Sequence, residues 1–334
     1  METGAMFYVF QIMALLSAAI AFAVILKFRK NNTLLVFPAF ALGLVFGFLL
    51  GKLIYLLCNT YLLFDGGTGA LFSTDPAEFS LVGGFTGFVL GLLLILRIAK
   101  IPAGDVMDRF SAPFCLAFAF IMLSQNHADY LGLAEFSTFG LADPVFGIFP
   151  AVYPLVIQDA WDGVMLSAAS LEALAALLCI PVSLTMLRKS REKHFSGMIF
   201  QLCISILCAV HMFFEPARTV SIVFYFVHVE QVLCAVILLV LLLLLRSRCR
   251  TDGGPRCISA IVVFWACIVV NGLIQFMLDK PWLFFNLLPE SITVWLEGHL
   301  SLFCYTVMLL TALILLINYL LLFRKFNRRH SDKA

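Results

Sequence analysis

The chain is 62% hydrophobic and only 13% charged, so the residues able to do chemistry stand out as the few ionisable ones set inside apolar runs. They are Lys52, Glu172, His211, His228 and Glu230, with Asn126 and His127 closing a further run. An ionisable side chain at bilayer depth costs about 2.5–3.5 kcal/mol on insertion scales, so each needs a partner, a cavity or an escape to the interface. At about 1.5 Å of rise per residue, Lys52 lies roughly 9 Å from a run end, Glu172 and Glu230 roughly 12–14 Å, and His211 nearer the boundary. All fall in one half of the membrane, as a lipid-facing or outward-open cavity requires. Local readings stand beside this one. Lys52 is able to snorkel, and His211 with Glu215 (i,i+4) and Glu215 with Arg218 (i,i+3) are spaced to pair on one helix face. His228 and Glu230 are two apart, so at most one need face a shared site. The small neighbours of Glu172, namely Ala168, Ala169, Ala173 and Ala175, suit close helix packing.

The run SLVGGFTG carries Gly83, Gly84 and Gly87 at the start of an apolar segment. Gly83 and Gly87 form a GxxxG pair suited to helix packing; alternatively, the Gly83 and Gly84 amides at a helix N-terminus make an anion site suited to a phosphate. There is no P-loop, GxSxG or HExxH, which leaves ATP hydrolysis, serine hydrolase chemistry and zinc catalysis without support. The ten cysteines sit nearly all within apolar runs, without CxxC or Cys/His ligand spacing, and read as small buried hydrophobes. No metal or other cofactor is expected.

These residues must be positioned by membrane-spanning helices. Apolar windows of the required length of roughly 20 residues lie at about 6–26, 33–57, 80–96, 110–125, 163–187, 196–214, 222–245, 257–278 and 300–323. The expected fold is all-α and polytopic with about nine transmembrane helices, the first being a retained span rather than a signal peptide. Of the 22 Lys and Arg, all but Lys52, Arg218 and Lys280 lie in alternate loops and the C-terminal tail. The intervening loops carry Asp65, Asp75, Glu78, Asp129, Glu135, Asp143, Asp159, Glu215, Asp279, Glu290 and Glu297. Cations near span ends stay cytoplasmic, which puts the N-terminus outside and the C-terminus in. The net charge of +2 therefore hides a dipolar arrangement and does not point to nucleic acid. Two outer segments, 59–79 and 126–162 (with Pro144, Pro150 and Pro154), exceed what a turn needs and suit an interfacial or site-covering role. The basic stretch 246–256 divides a seven-span part, 1–246, from a two-span extension, 247–334, whose Trp282 and Trp295 read as interfacial anchors.

Over residues 6–246 the order of features resembles the prolipoprotein diacylglyceryl transferases, bacterial membrane enzymes of seven spans. The resemblance is carried by SLVGGFTGFVLGLLLILRIAKIPAGDVMDRFSAPF, with Gly83, Gly84, Asp108, Ala112 and Pro113. It continues through LSQNHADYLG, SLEALAALL, HMFFEPAR and HVEQVLCAVILL, which place Asn126, Glu172, Glu215, Pro216 and Gln231 on matching positions. It implies transfer of diacylglyceryl from phosphatidylglycerol to a lipobox cysteine thiol at the outer half of a bacterial plasma membrane, within lipoprotein biosynthesis. The partners would be the phospholipid and lipoprotein precursors. Such a reaction needs a base to form thiolate and cations or amides for the departing phosphate. His211, His127 or Glu172 would serve as the base. Lys52, Arg218 and the Gly83/Gly84 amides would lie near phosphate, with Asn126, Glu215, Glu230 and Gln231 completing the substrate site. Several family positions differ. The His before Gly-Gly is Val82, the Arg of the Asn-rich segment is Leu123, the Arg of the sixth span is Leu207 and the Glu four residues later is His211. The His and Gln before the Glu172 stretch are Leu166 and Ala169. Loss of those cations removes charge-assisted phosphate contacts, and this favours an alternative, a non-catalytic relative that binds phospholipid or a lipoprotein signal sequence. A membrane transporter is the further alternative; it would show broken helices in two related halves, and no internal repeat is evident.

Overall fold

The structure, a computed structural model, describes residues 3–66, 69–127, 133–134, 155–159, 163–189, 196–218, 220–225, 227–251, 258–286 and 289–331. Among the described residues nine helices are long and apolar enough to cross a membrane. They are α1 (Thr3–Phe28), α2 (Val36–Cys58), α3 (Leu81–Ile98), α4 (Ala103–Gln125), α5 (Ala168–Lys189), α6 (Met198–Phe214), α7 (Val229–Thr251), α8 (Ile258–Asp279) and α9 (Glu290–Ser331). The protein is thus a mostly helical, multi-pass membrane protein. Helix α9 has 42 residues and so runs about 63 Å, twice the hydrocarbon thickness. Only its part His299–Arg324 has the composition of a span.

Helices α4 and α6 are 67% buried along their apolar windows, against 22–33% for the others, so these two form the centre. Helix α4 packs on α1, α5 and α6, and α6 reaches α5, α7 and α9. Phe110 of α4 meets Phe22 of α1 edge-on at 5.3 Å, and Phe114 meets Phe200 of α6 at 5.3 Å. Helices α8 and α9 share a second apolar cluster with α6 and α7, in which Cys208, Cys234, Leu238, Phe264 and Tyr319 meet. Lipid is as apolar as these side chains, so polar ties matter here. The Tyr319 hydroxyl donates to the Leu238 carbonyl of α7, and Asn318 Nδ2 donates to the Ala260 carbonyl at 2.9 Å.

Helices α2 and α3 lie antiparallel with glycine faces in contact. A Cβ on Gly91 would come 2.6 Å from Gly43 Cα, one on Gly87 would strike the Phe46 carbonyl and Gly47, and one on Gly83 would meet Gly51 Cα at 3.2 Å. Gly83 and Gly87 therefore belong to a longer packing motif, with Gly91 behind them and Gly43, Gly47 and Gly51 opposite. At the other end of the centre, Asp108 of α4 caps α6. Its carboxylate accepts the amides of Gly197 at 2.7 Å, Ile199 at 2.8 Å and Phe200 at 3.1 Å. Gly197 has φ +91°, a left-handed conformation that favours glycine.

Two expected spans begin later than the apolar runs suggest. Residues 163–167 form strand β3 (Gly163–Ser167), paired antiparallel with β1 (Leu133–Ala134) and β2 (Val156–Asp159). Residues 223–228 hold a hairpin of β4 (Val223–Phe224) and β5 (Val227–His228). Short apolar runs rich in β-branched and aromatic residues suit a strand as well as a helix. Glu172 is therefore only about 6 Å and Glu230 about 1.5 Å from the helix starts, not 12–14 Å. Segment 59–79 contains the short helices Tyr61–Gly66, Gly69–Phe72 and Pro76–Glu78. Pro144, Pro150, Pro154, Asp129, Glu135, Asp143 and residues 252–256 of the seam at 246–256 lie outside the described residues, as does the Trp295 side chain; the seam's first residues, 246–251, continue α7, and Trp282 is exposed.

Candidate functional site

Three helix ends and one loop converge where α4, α5, α6 and α7 meet the acidic loops. Helix α5 brings Glu172 from its second turn, α6 brings His211 from its last turn, and the following turn (Glu215–Ala217) brings Glu215 and then Arg218. Helix α7 brings Glu230 from its first turn. All five are buried, between 1% and 9% exposed. Buried charges of this kind persist only when paired and hydrogen-bonded.

Glu172 is the hub. Its Oε1 accepts Arg218 Nη2 at 2.6 Å, and its Oε2 accepts His211 Nδ1 at 2.7 Å. An ionised carboxylate only accepts, so Nδ1 carries the hydrogen in this contact and the neutral ring keeps its lone pair at Nε2. Arg218 Nη1 also donates to Gln125 Oε1 of α4 at 2.6 Å. His211 Nε2 lies 3.7 Å from Glu215 Oε2 and 3.7 Å from Glu230 Oε2, and Arg218 Nε lies 3.8 Å from Glu215 Oε2. Gln231 Nε2 donates to the Met212 carbonyl at 2.9 Å and joins α7 to α6.

The other expected site residues divide. Asn126 sits beside the network at the α5 start, where its Oδ1 accepts Ser167 Oγ at 2.6 Å and its Nδ2 donates to Ser170 Oγ at 2.7 Å. His127 stacks on Phe10, ring centroids 5.6 Å apart, and burial pushes its imidazole below the ordinary value. Lys52 is tied to Glu78 at 2.9 Å and lies over the Tyr55 ring. The Gly83 amide donates to Ser80 Oγ at 3.0 Å and the Gly84 amide to the Ser80 carbonyl at 2.9 Å, so neither is directed at a ligand. The α3 N-terminus does hold an anion, but it is the chain's own: the Val82 amide donates to Glu230 Oε2 at 2.8 Å. Sequence reasoning did not single out Gln125, Ser167 and Ser170. Gln125 adjoins Asn126 in the run SQN, which is the one signal that pointed to it.

Below the network a cavity of about 290 Å³ runs between α3, α4, α6 and α7. Along α6 it extends from His211 to Gly197, about 21 Å of helix, most of the hydrocarbon thickness. Phe85, Val89, Phe118, Leu207 and Ile237 make its wall apolar, and His211 stands at its acidic end. Val82 and Leu207 both line it. The site thus combines a long apolar slot with an imidazole whose orientation is set by a carboxylate. That pairing is suited to holding an alkyl chain and accepting a proton at its end. No family model, curated protein or solved structure matches the chain.

Proposed function

We propose that the protein is a lipid-modifying transferase of the diacylglyceryl-transferase type, with its N-terminus and the acidic loops outside a bacterial plasma membrane and its C-terminus inside. The observation that carries this reading is His211, held through Nδ1 by Glu172 at 2.7 Å while its ring forms the end of an apolar cavity that crosses most of the membrane. A phospholipid acyl chain fits the slot, and its glyceryl carbon then lies at the level of the imidazole. His211 takes the proton of a cysteine thiol, because the thiolate is the nucleophile. The sulfur–carbon bond forms at the glyceryl carbon and the carbon–oxygen bond to phosphate breaks. The phosphate monoester leaves with the electron pair, glycerol phosphate if the donor is phosphatidylglycerol, and the proton passes from His211 to it. Glu172 is a positioning residue that selects the tautomer, and Arg218 holds Glu172 ionised.

The test is a transfer assay with purified protein, labelled phosphatidylglycerol or phosphatidylethanolamine, and a lipobox peptide with one cysteine, run beside His211→Gln and Glu172→Gln. Diacylglyceryl thioether made by the wild type and lost in His211→Gln is the expected result. No product from either donor, with lipid still retained, would replace catalysis by lipid binding, the reading that the apolar Val82 and Leu207 favour.

A further inference from the structure

Around His211, which lines the cavity, the buried polar atoms without a hydrogen-bond partner among the described residues include Glu215 Oε1, Glu230 Oε1 and His211 Nε2. Their residues are 1%, 4% and 3% exposed. His211 Nε2 is 3.7 Å from the Oε2 atom of each carboxylate, beyond hydrogen-bonding reach, so the two carboxylates flank the imidazole without bonding to it. Both His211 and Val82, whose amide holds Glu230, belong to the cavity lining.

The charges around this point are also uneven. Among the described residues Glu172, Glu215 and Glu230 lie within ion-pair distance of one guanidinium and one imidazole, three carboxylates to two basic groups. Of the neighbouring basic groups, Lys52 is bound to Glu78, while His228 places Nε2 3.9 Å from Asp279 and leaves its buried Nδ1 without a hydrogen-bond partner. An excess of buried carboxylate over cation is costly, and a cationic group placed here offsets it. Among the described residues no group of His, Cys, Asp and Glu is arranged to hold a metal ion. A primary ammonium has three donors and no acceptor. Such a group supplies the donors that Glu215 Oε1 and Glu230 Oε1 lack, and it leaves His211 Nε2 for the thiol proton.

We propose that this end of the cavity, where Glu215 and Glu230 flank His211, binds the primary ammonium of an amine-bearing phospholipid headgroup. The inference rests on reading the cavity as an acyl-chain site, and it changes the donor from phosphatidylglycerol to a lipid of the ethanolamine kind. The group leaving on transfer is then an aminoalkyl phosphate, with the same bonds made and broken as above.

The experiment uses delipidated full-length protein in detergent. It is offered an equal mixture of phosphatidylethanolamine, its N-acetyl derivative and phosphatidylglycerol with identical chains, and the retained lipid is quantified by mass spectrometry. The expected result is enrichment of phosphatidylethanolamine by about tenfold over both others, as one charge-assisted bond supplies. Glu215→Gln with Glu230→Gln brings the ratio to parity. Equal retention of the three lipids by the wild type overturns the ammonium site and leaves the acyl-chain reading standing. Retention of none overturns both. An equimolar challenge with free ethanolamine separates the sources: displacement of the lipid overturns the headgroup assignment in favour of a soluble amine, and no displacement supports it.

Discussion

Glu172→Gln tests the network most directly, because one carboxylate serves two partners. Glutamine keeps the volume and one acceptor but replaces the other oxygen with a donating NH₂. Turned toward His211, that NH₂ favours the tautomer with hydrogen on Nε2, and the ring loses the lone pair it would use as a base. Turned toward Arg218, it leaves a buried guanidinium without the partner now at 2.6 Å. Breaking a buried pair from one side costs about 3–5 kcal/mol. The remaining bond from Arg218 to Gln125 and the nearby Glu215 place the expected loss at the lower end, about 3 kcal/mol. Arg218→Gln should cost a similar amount by stranding the carboxylate. The double variant removes both charges, so its loss should fall short of the sum of the singles by about 2 kcal/mol. The measurement is a double-mutant cycle of reversible unfolding in mixed detergent micelles. Additivity within about 0.5 kcal/mol would show that the two side chains do not stabilise each other, and the account of Glu172 as hub would be wrong.

Asp108→Ala leaves three buried amides at the α6 start unsatisfied, at about 1–3 kcal/mol each. Hydrogen exchange at residues 197–200 should rise well above wild type while the α2–α3 amides stay protected. Gly87→Leu places a side chain on the Phe46 carbonyl and should cost about 1–3 kcal/mol by overpacking. Unfolding in micelles reads it, with Leu90→Ala on the exposed face of α3 as the mild control. Leu207→Trp occupies the cavity and should lower retained phospholipid severalfold with at most about 1–3 kcal/mol lost; unchanged retention would place the lipid elsewhere. Hydrogen bonds from Ser73 and Lys52 hold the Glu78 carboxyl below its ordinary value of 4.5. The unfolded chain therefore binds the proton first as pH falls. The advantage of wild type over Glu78→Gln should be full above about pH 5, shrink below 4.5 and vanish once pH falls through the folded value. A difference that persists at the lowest pH would show that the Lys52 ion pair is not its source.

The nine spans were legible because apolar length is a property of sequence alone, and α1, α2 and α8 lie close to where the windows put them. The starts of α5 and α7 were not, since Val164, Met165, Leu166 and the residues 222–228 are apolar in strand and helix alike. Glu172, His211, Glu215, Arg218 and Glu230 drew attention one by one as polar groups in apolar surroundings. Their convergence was hidden, because composition says nothing about helix rotation. For the same reason Lys52, similar in type and depth, joins Glu78 instead, a partner that lies just beyond the end of its helix in a loop. The Gly83 and Gly84 amides were readable in retrospect. Ser80 stands three residues before Gly83, where an N-cap hydroxyl takes that amide.

The paired glycine faces of α2 and α3 have a consequence for how this chain tolerates change. Leu44, Val45, Leu49, Leu53, Leu90 and Leu94 on the same two helices are exposed, and toward lipid one apolar residue serves as well as another. At Gly43, Gly47, Gly87 and Gly91 even a methyl group meets backbone atoms of the opposite helix, so drift there has almost no neutral step. A saturation library over residues 36–98 should therefore be split by helical phase, with permissive and intolerant positions alternating about every two residues. The intolerant ones would mark a seam where the genetic record stays still while everything around it wanders.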